Sequence, residues 1–246
     1  LIKMIVNSRT YKQKSLFGKE KNLIDPNNIY LSRASSHRLP AEMIRDNALA
    51  LSGLLSKKVG GPSVKPYQPK GLWKEKNNFS LRLLEYKESK GEDLYRRGMY
   101  TFIKRGSPPP SLITFDATSR EICTIKREKT SSPLQSLVLL NDTQFFEASR
   151  VFAERIISQS KNDLSDQIKY GFRLATSRFP KESEAQLLKQ LYLNKLSFYK
   201  KNKGEAYKVI NIGASKTKFS KKAPQIAAMT MVANTLLNLN ESYYKY

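Results

Sequence analysis

Apolar residues recur every three or four positions through residues 131–246, and this period predicts amphipathic helices. Each predicted helix is preceded by a capping residue, a proline or an acidic first turn, which are helix start signals. These signals lie at Ser132, Asp142, Asp163, Glu182 and Pro224. The 202–223 connection is predicted as a loop with one short turn at 206–210. Residues 131–246 are therefore predicted to form a helical bundle.

The helix that follows Ser132 has the most specific start signal. Ser132 and Gln135 match a capping box, in which each side chain bonds the other residue's backbone amide. Pro133 suits the first helical position, where a missing backbone N–H costs nothing. Leu134, Leu137, Val138 and Asn141 line one face of this helix.

Residues 1–130 show a less regular pattern, with two predicted helices separated by loops. The first eleven residues have Leu1, Ile2, Ile5 and Val6 on one side of a helical wheel, which favours a short helix. A longer helix is predicted with Pro40 at its first helical position, and it should end near Gly53 because glycine is the preferred residue after a helix.

Proline-rich arms connect the predicted elements of the front half. In the segment 64–73, two prolines push their neighbours towards extended backbone, with Tyr67 and Trp73 as aromatic anchors. Such an arm either straps a helical core or lines a ligand groove. The prolines after Ser107 predict a rigid extended corner that ends any helix.

Three stretches of the front half carry weaker signals. A short strand-like or helical patch is predicted at 79–86, and a short helix or a pair of turns at 94–103. Residues 120–127 alternate with a period of two, which predicts one short strand or an extended arm. The predicted fold class is therefore mainly α, a helical bundle with long proline-rich extended arms in the N-terminal half. We expect one domain over 1–246, with helices and irregular arms in 1–130 and the bundle in 131–246.

Composition supports a globular chain and raises the question of a polyanionic partner. Apolar residues make up 39% of the 246 residues, enough for a sizeable core. Lys and Arg total 44 against 21 Asp and Glu, a net charge of +23. The lysines are scattered singly, which favours a solvated basic surface over a nucleic-acid groove. No apolar run reaches the roughly 18 residues that a membrane span needs.

Cys123 and His37 are the only cysteine and the only histidine. One cysteine forms no disulfide within the chain, and with one histidine it cannot build a Cys/His zinc site. We expect Cys123 to be a buried, inert thiol, and His37 to be a surface residue. Phosphate-binding glycine loops and hydrolase motifs are absent from the sequence, so no catalytic residue and no metal site is predicted.

One polar cluster in the sequence remains a candidate for ligand binding. Its members lie at bends between irregular segments, where a charged group needs a partner once it is buried. They are Arg96, Arg97, Asp116, Arg120, Glu121 and Arg127. Either these residues converge on an open pocket and form an enzyme or ligand site, or they form internal salt bridges that tie the arms to the bundle.

Several long motifs resemble a known family. AEMIRDNALALSG, GGPSVKPYQPKGLW, LYRRGMYTFIKR, PPPSLITFDATSREICTIKREKTSSPLQSLVLLNDTQF and AAMTMVANTLLNLNE occur in this order. Together they resemble domain of unknown function 1553, the C-terminal domain of planctomycete-type cytochrome c domain proteins. The chain departs from the family pattern at Pro40, where the family often has an acidic residue, and at Thr143, where it often has proline.

The resemblance implies an exported protein of several domains in the periplasm or cell envelope. Haem is then expected only in an upstream cytochrome c domain, with no cofactor in this chain, which lacks the Cys-x-x-Cys-His motif. The family provides no catalytic residues to transfer. The expected partners are the upstream domains of the same polypeptide, and an envelope protein or an anionic polysaccharide is a further possibility.

Overall fold

A computed structural model describes residues 1–15, 23–73, 85–160 and 163–245. The protein is mainly α-helical, as predicted. The helices are Ile2–Asn7 (α1), Ala41–Ser52 (α2), Pro110–Thr114 (α3), Pro133–Asn141 (α4), Thr143–Gln159 (α5), Leu164–Thr176 (α6), Glu182–Lys201 (α7), Lys203–Ile210 (α8), Ala223–Leu237 (α9) and Asn240–Tyr243 (α10). Short 3₁₀ helices span Gly91–Tyr95, Gly98–Tyr100 and Ser220–Lys222. Strands His37–Arg38 (β1) and Tyr244–Lys245 (β2) form an antiparallel pair.

Helix α9 is the centre of the bundle and packs against α5, α7 and α8. Eleven of its fifteen residues are buried, including Ala227, Ala228 and Ala233. These small side chains let neighbouring helices approach closely. Gly171 of α6 serves the same purpose, because a Cβ at this position would lie 2.7 Å from Ile156 and 3.3 Å from Leu236.

Two contacts join the front of the chain to the bundle. Helix α2 packs against α5 and buries Ile44, Ala48 and Leu49. The β1–β2 pair brings residues 244–245 back to residues 37–38, and the Leu39 amide donates to the Tyr243 carbonyl at 2.8 Å. The described C-terminal end is therefore held against the segment that precedes α2.

The predicted helix starts at Asp142 and Asp163 are confirmed. The Asp142 carboxylate accepts a hydrogen bond from the Gln144 amide, and the Asp163 carboxylate accepts one from Asp166. Helix α2 ends before Gly53, which adopts the left-handed conformation with φ 87°. Pro40 precedes the first helical residue instead of occupying it.

The predicted capping box at Ser132 is wrong. The Ser132 side chain makes no cap hydrogen bond. Gln135 is buried, and its amide donates to the backbone carbonyls of Thr114 and Thr130. This orientation buries Gln135 and Leu139 and leaves Leu134 and Leu137 more than half exposed.

The proline corner was predicted to be extended, which holds for Pro109, with φ −58° and ψ 121°, but not for Pro110. Pro110 is the first residue of α3, because proline has the backbone φ angle that a first helical turn requires. The short turn predicted at 206–210 is part of the eight-residue helix α8. Segment 94–103 contains a pair of 3₁₀ turns, one of the two predicted outcomes.

Residues 120–127 form an exposed arm without strand pairing. Cys123 lies in this arm and is exposed, so the prediction of a buried thiol is wrong. The arm makes its tertiary contacts through charged side chains, which are described below. Its alternating apolar side chains do not pack against the core. Most of the patch predicted at 79–86 lies outside the described residues.

Candidate functional site

Three of the six candidate residues, Arg96, Asp116 and Arg127, make side-chain hydrogen bonds to other parts of the described chain. Within the described chain, no hydrogen bond or ion pair joins any two of them. Arg96 is buried, and its guanidinium donates to the carbonyls of Lys58, Gly60 and Pro62. The same guanidinium lies 3.9 Å from the centre of the Tyr100 ring. Arg96 therefore holds the loop at 58–62 against the 3₁₀ turns.

Asp116 and Arg127 each pair with a residue from another element. Asp116 accepts a hydrogen bond from the Arg38 guanidinium at 2.6 Å and from the Thr130 amide at 2.8 Å. Although partial burial opposes it, these hydrogen bonds hold the pKa of Asp116 below its usual value. Arg127 donates to both carboxylate oxygens of Glu42 in α2, at 2.8 and 3.0 Å. Both pairs fix residues 117–130, which include the arm, to the front of the molecule.

The other three candidates, Arg97, Arg120 and Glu121, are exposed. Arg97 acts on Asp46 through its charge, and Arg120 acts on Glu42 in the same way. Arg97, Arg120 and Arg127 thus lie around Glu42 and Asp46 of α2, whereas Arg96 and Asp116 bind groups elsewhere.

The polar groove with the largest volume described here lies between β1, the arm and β2. This basic groove has a volume of about 800 Å³ and is lined by Ser36, His37, Arg38, Lys126, Arg127, Glu128, Lys129 and Tyr244. Arg38 is 3% exposed, and its Nε is buried without a hydrogen-bond acceptor. Of the six predicted residues, Arg127 lines this groove.

Sequence reasoning missed a charged cluster inside the bundle. Glu147, Arg150 and Glu154 of α5 are all at least nine-tenths buried. Arg150 donates to the Glu154 carboxylate and, at 2.7 Å, to the Ser215 carbonyl. The signal that could have indicated the cluster is its spacing: the three residues recur at i, i+3 and i+7, on a second face of a helix whose first face is apolar.

Glu147 connects this cluster to the loop before α9 and to the front half. Its carboxylate accepts hydrogen bonds from the Tyr95 hydroxyl at 2.9 Å and from the Ser215 amide at 2.7 Å. Burial, together with the nearby Glu147 charge, raises the pKa of Tyr95 to about 12. Gly213 covers the carboxylate directly, and a Cβ at this position would collide with it.

A second groove, the strap groove, lies beside this buried cluster. It has a volume of about 620 Å³ and is lined by Tyr67, Gln68, Pro69, Lys70, Glu88, Asn141, Asp142, Thr143, Gly213 and Ala214. The Tyr67 hydroxyl accepts from the Ala214 amide at 2.7 Å, and the Gln68 Nε2 is buried without an acceptor. The sequence left open whether segment 64–73 straps the bundle or lines a groove. In the structure it does both.

The described residues contain neither a cluster of metal ligands nor a membrane-spanning helix. No group of three or more His, Cys, Asp or Glu side chains in the described ranges could hold a metal ion. Among the helices described, none has both the length and the apolar character to cross a membrane.

The fold defines a class of protein: a helical domain whose irregular front half is fixed to a bundle, in part by the buried Arg45 of α2, which donates to Gln144 of α5 at 2.6 Å. The chain belongs to PSD1, a family of proteins of unknown function (DUF1553), whose model matches residues 1–192. The expected family is therefore confirmed. A comparison with curated proteins and one with solved structures each found no match.

Proposed function

We propose that the chain is a non-catalytic interaction domain of a longer exported protein that also carries cytochrome c modules. In this proposal it lies in the periplasm or cell envelope and packs on other domains of the same polypeptide. The resemblance described above supports the context. Helix α1 carries the proposal, because its apolar side chains face solvent.

Helix α1 has no buried residue. Leu1, Ile2 and Met4 are 91%, 78% and 75% exposed, and Ile5 and Val6 are also exposed. A helix of six residues is too short to be stable by itself in water. Contiguous exposed apolar side chains mark surfaces that bind another protein. The occupant that we propose for this surface is another domain of the same polypeptide.

The placement of charged groups favours an interaction domain over an enzyme. Arg96 binds backbone carbonyls, Asp116 pairs with Arg38, and Arg127 pairs with Glu42. These contacts fix irregular segments in place. An active site would instead bring several such groups to one reacting position.

Binding to the separately expressed preceding part of the full reading frame tests this proposal. We expect isothermal titration calorimetry to detect binding, and the triple substitution Ile2→Ser, Met4→Ser, Ile5→Ser to weaken it at least about tenfold. The control is Leu187→Ser, Leu193→Ser, Phe198→Ser, which removes three apolar side chains of α7 that are also exposed, at 67%, 49% and 49%. Absence of binding, or equal weakening by both variants, would refute the proposal.

A further inference from the structure

We propose that a lysine-rich end of the helical bundle binds the surface of an anionic lipid membrane. The lysine-rich end comprises the exposed side chains of residues 195–222, from the last turns of α7 to the start of α9. This proposal is independent of the docking surface on α1.

Residues 195–222 depart from the scattered distribution of charge in the rest of the chain. They contain nine lysines and one acidic residue, Glu205, and so carry +8 of the chain's net charge of +23. Glu205 is already paired, because its carboxylate accepts from the Lys208 ammonium at 2.8 Å. The other exposed lysines of this segment make no ion pair with the part of the chain that the structure describes, among them Lys200, Lys201, Lys203, Lys218 and Lys221.

Packing brings these lysines to one end of the bundle. The inward faces of α7, α8 and α9 meet there in a small hydrophobic core, and Phe219 of the intervening loop packs against it. This core consists of Tyr199, Ala206, Ile210, Ala223, Ile226, Ala227 and Ala228. Because the buried side chains of all these segments converge on one core, their exposed lysines cover the surface around that core. Like charges held in one region repel one another, and an anionic surface would relieve that repulsion.

Exposed aromatic rings among the lysines give a second, independent indication of a lipid partner. Phe198 of α7 and Tyr207 of α8 are each 49% exposed. Phe198 lies three residues before Lys201 and Tyr207 four residues after Lys203, spacings that place each ring beside a lysine on its helix. Aromatic and lysine side chains together are typical of protein surfaces at the boundary between membrane and water. The rings enter the headgroup layer there, and the ammonium groups are attracted to anionic lipids.

The type of cation favours a lipid surface over a nucleic acid. All nine cations of residues 195–222 are lysines. Arginine recognises phosphates and bases through paired hydrogen bonds, whereas a lysine ammonium acts as a point charge towards any anionic surface. Single-stranded nucleic acids are held in cationic grooves, and neither of the two grooves described above is lined by these lysines.

Co-sedimentation with vesicles of about 30% phosphatidylglycerol in phosphatidylcholine measures the binding. We expect the chain to bind these vesicles, and to bind pure phosphatidylcholine vesicles at least about tenfold more weakly. The triple substitution Lys200→Gln, Lys201→Gln, Lys203→Gln should weaken binding to the anionic vesicles at least about tenfold.

The control triple is Lys57→Gln, Lys126→Gln, Lys129→Gln, which removes the same charge from exposed lysines of the front half. It should change the affinity less than about threefold, because salt screens charges that lie far from the bound surface. Binding of a single-stranded oligo-dT by the same variants is measured in parallel.

The fluorescence of a Phe198→Trp variant tests whether the ring at this position enters the lipid. The chain has one tryptophan of its own, Trp73, which is buried, so a change on vesicle binding reports on position 198. We expect a blue shift of the emission with the anionic vesicles, since the ring leaves water.

Four results would overturn the proposal. No binding to the anionic vesicles, or equal binding to pure phosphatidylcholine, would remove the anionic lipid partner. Equal weakening by the two triples would mean that the net charge of the whole chain is responsible. An unchanged emission spectrum of the Phe198→Trp variant would contradict the placement of the rings. A loss for oligo-dT that exceeds the loss for vesicles would assign the lysine-rich end to nucleic acid. Urea unfolding of each variant checks that the fold is intact.

Discussion

Arg96 and Arg97 are neighbours in sequence, yet the fold gives them opposite environments. The Arg96 side chain is 1% exposed and is surrounded by carbonyl groups and the Tyr100 ring, whereas Arg97 points into solvent. A buried guanidinium is stabilised here by backbone acceptors instead of by a carboxylate. Its removal leaves those carbonyls without donors.

We therefore expect Arg96→Ala to lower the free energy of unfolding by about 3 kcal/mol, through lost hydrogen bonds and lost packing. Arg97→Ala is the matched control and should change it by less than about 0.5 kcal/mol. Urea denaturation followed by circular dichroism measures both variants. Similar values for the two would contradict the contacts described for Arg96.

Gly213 is a second position where one residue type is required, for two reasons. Its φ of 88° disfavours side chains, and a Cβ would collide with the buried Glu147 carboxylate. Gly53 has nearly the same φ, 87°, with no atom within 4 Å of an added Cβ. We expect Gly53→Ala to cost about 1–2 kcal/mol of unfolding free energy, from the backbone alone.

Gly213→Ala should cost clearly more than Gly53→Ala, about 3 kcal/mol or above, because the added methyl group displaces a buried charge. Urea denaturation of the two variants compares the costs directly. If the two costs are equal, the loop at 213 is not in contact with Glu147.

Ion pairs at the ends of helices show how separate elements are joined. Arg178 follows α6, and its guanidinium donates to Glu184 in the first turn of α7 and to Glu241 in α10. The hydrogen bond from Arg178, opposed by partial burial, lowers the pKa of Glu184 to about 2. Because the folded pKa is below the ordinary value of 4.5, the stabilisation is complete above pH 4.5 and disappears as the pH falls towards 2.

Glu184→Gln should accordingly be less stable than the unmodified protein near neutral pH, and the difference should shrink as the pH falls from about 4.5 to about 2. Urea midpoints across this range measure the difference. Glu182→Gln removes a charge from the same helical turn without touching Arg178, so its difference should stay small. A Glu184→Gln difference that does not change with pH would contradict the assigned role.

At the scale of the whole molecule, the net charge of +23 acts against the compact state through self-repulsion. Several of the described acidic residues pair with arginines, among them Glu42, Asp116, Glu154, Glu184 and Glu241. Most of the described lysines make no ion pair and are exposed, so salt can screen their charge.

Added sodium chloride should therefore raise the thermal midpoint. A gain of about 1 kcal/mol corresponds to roughly 2–4 °C for a chain of this size. Differential scanning calorimetry at low and moderate salt measures the shift. A falling midpoint would mean that surface ion pairs outweigh the repulsion.

The sequence by itself determined the elements whose signals are local. Helix starts at Asp142 and Asp163 and the stop at Gly53 depend on backbone groups within a few residues, and all three are confirmed. The family followed from long continuous motifs, and the mainly α class followed from apolar periodicity over many turns.

The tertiary structure alone decided which face of a helix is buried and which charges meet. Leu134 and Leu137 stay exposed because Gln135 finds carbonyl partners in segments that lie 5 and 21 residues away. Glu147 meets Tyr95 and Ser215 across separations of 52 and 68 residues. Such partners are set by packing between distant segments, and no local period encodes them. The six candidate residues were grouped because they are close in sequence. In the structure they contact several different parts of the molecule.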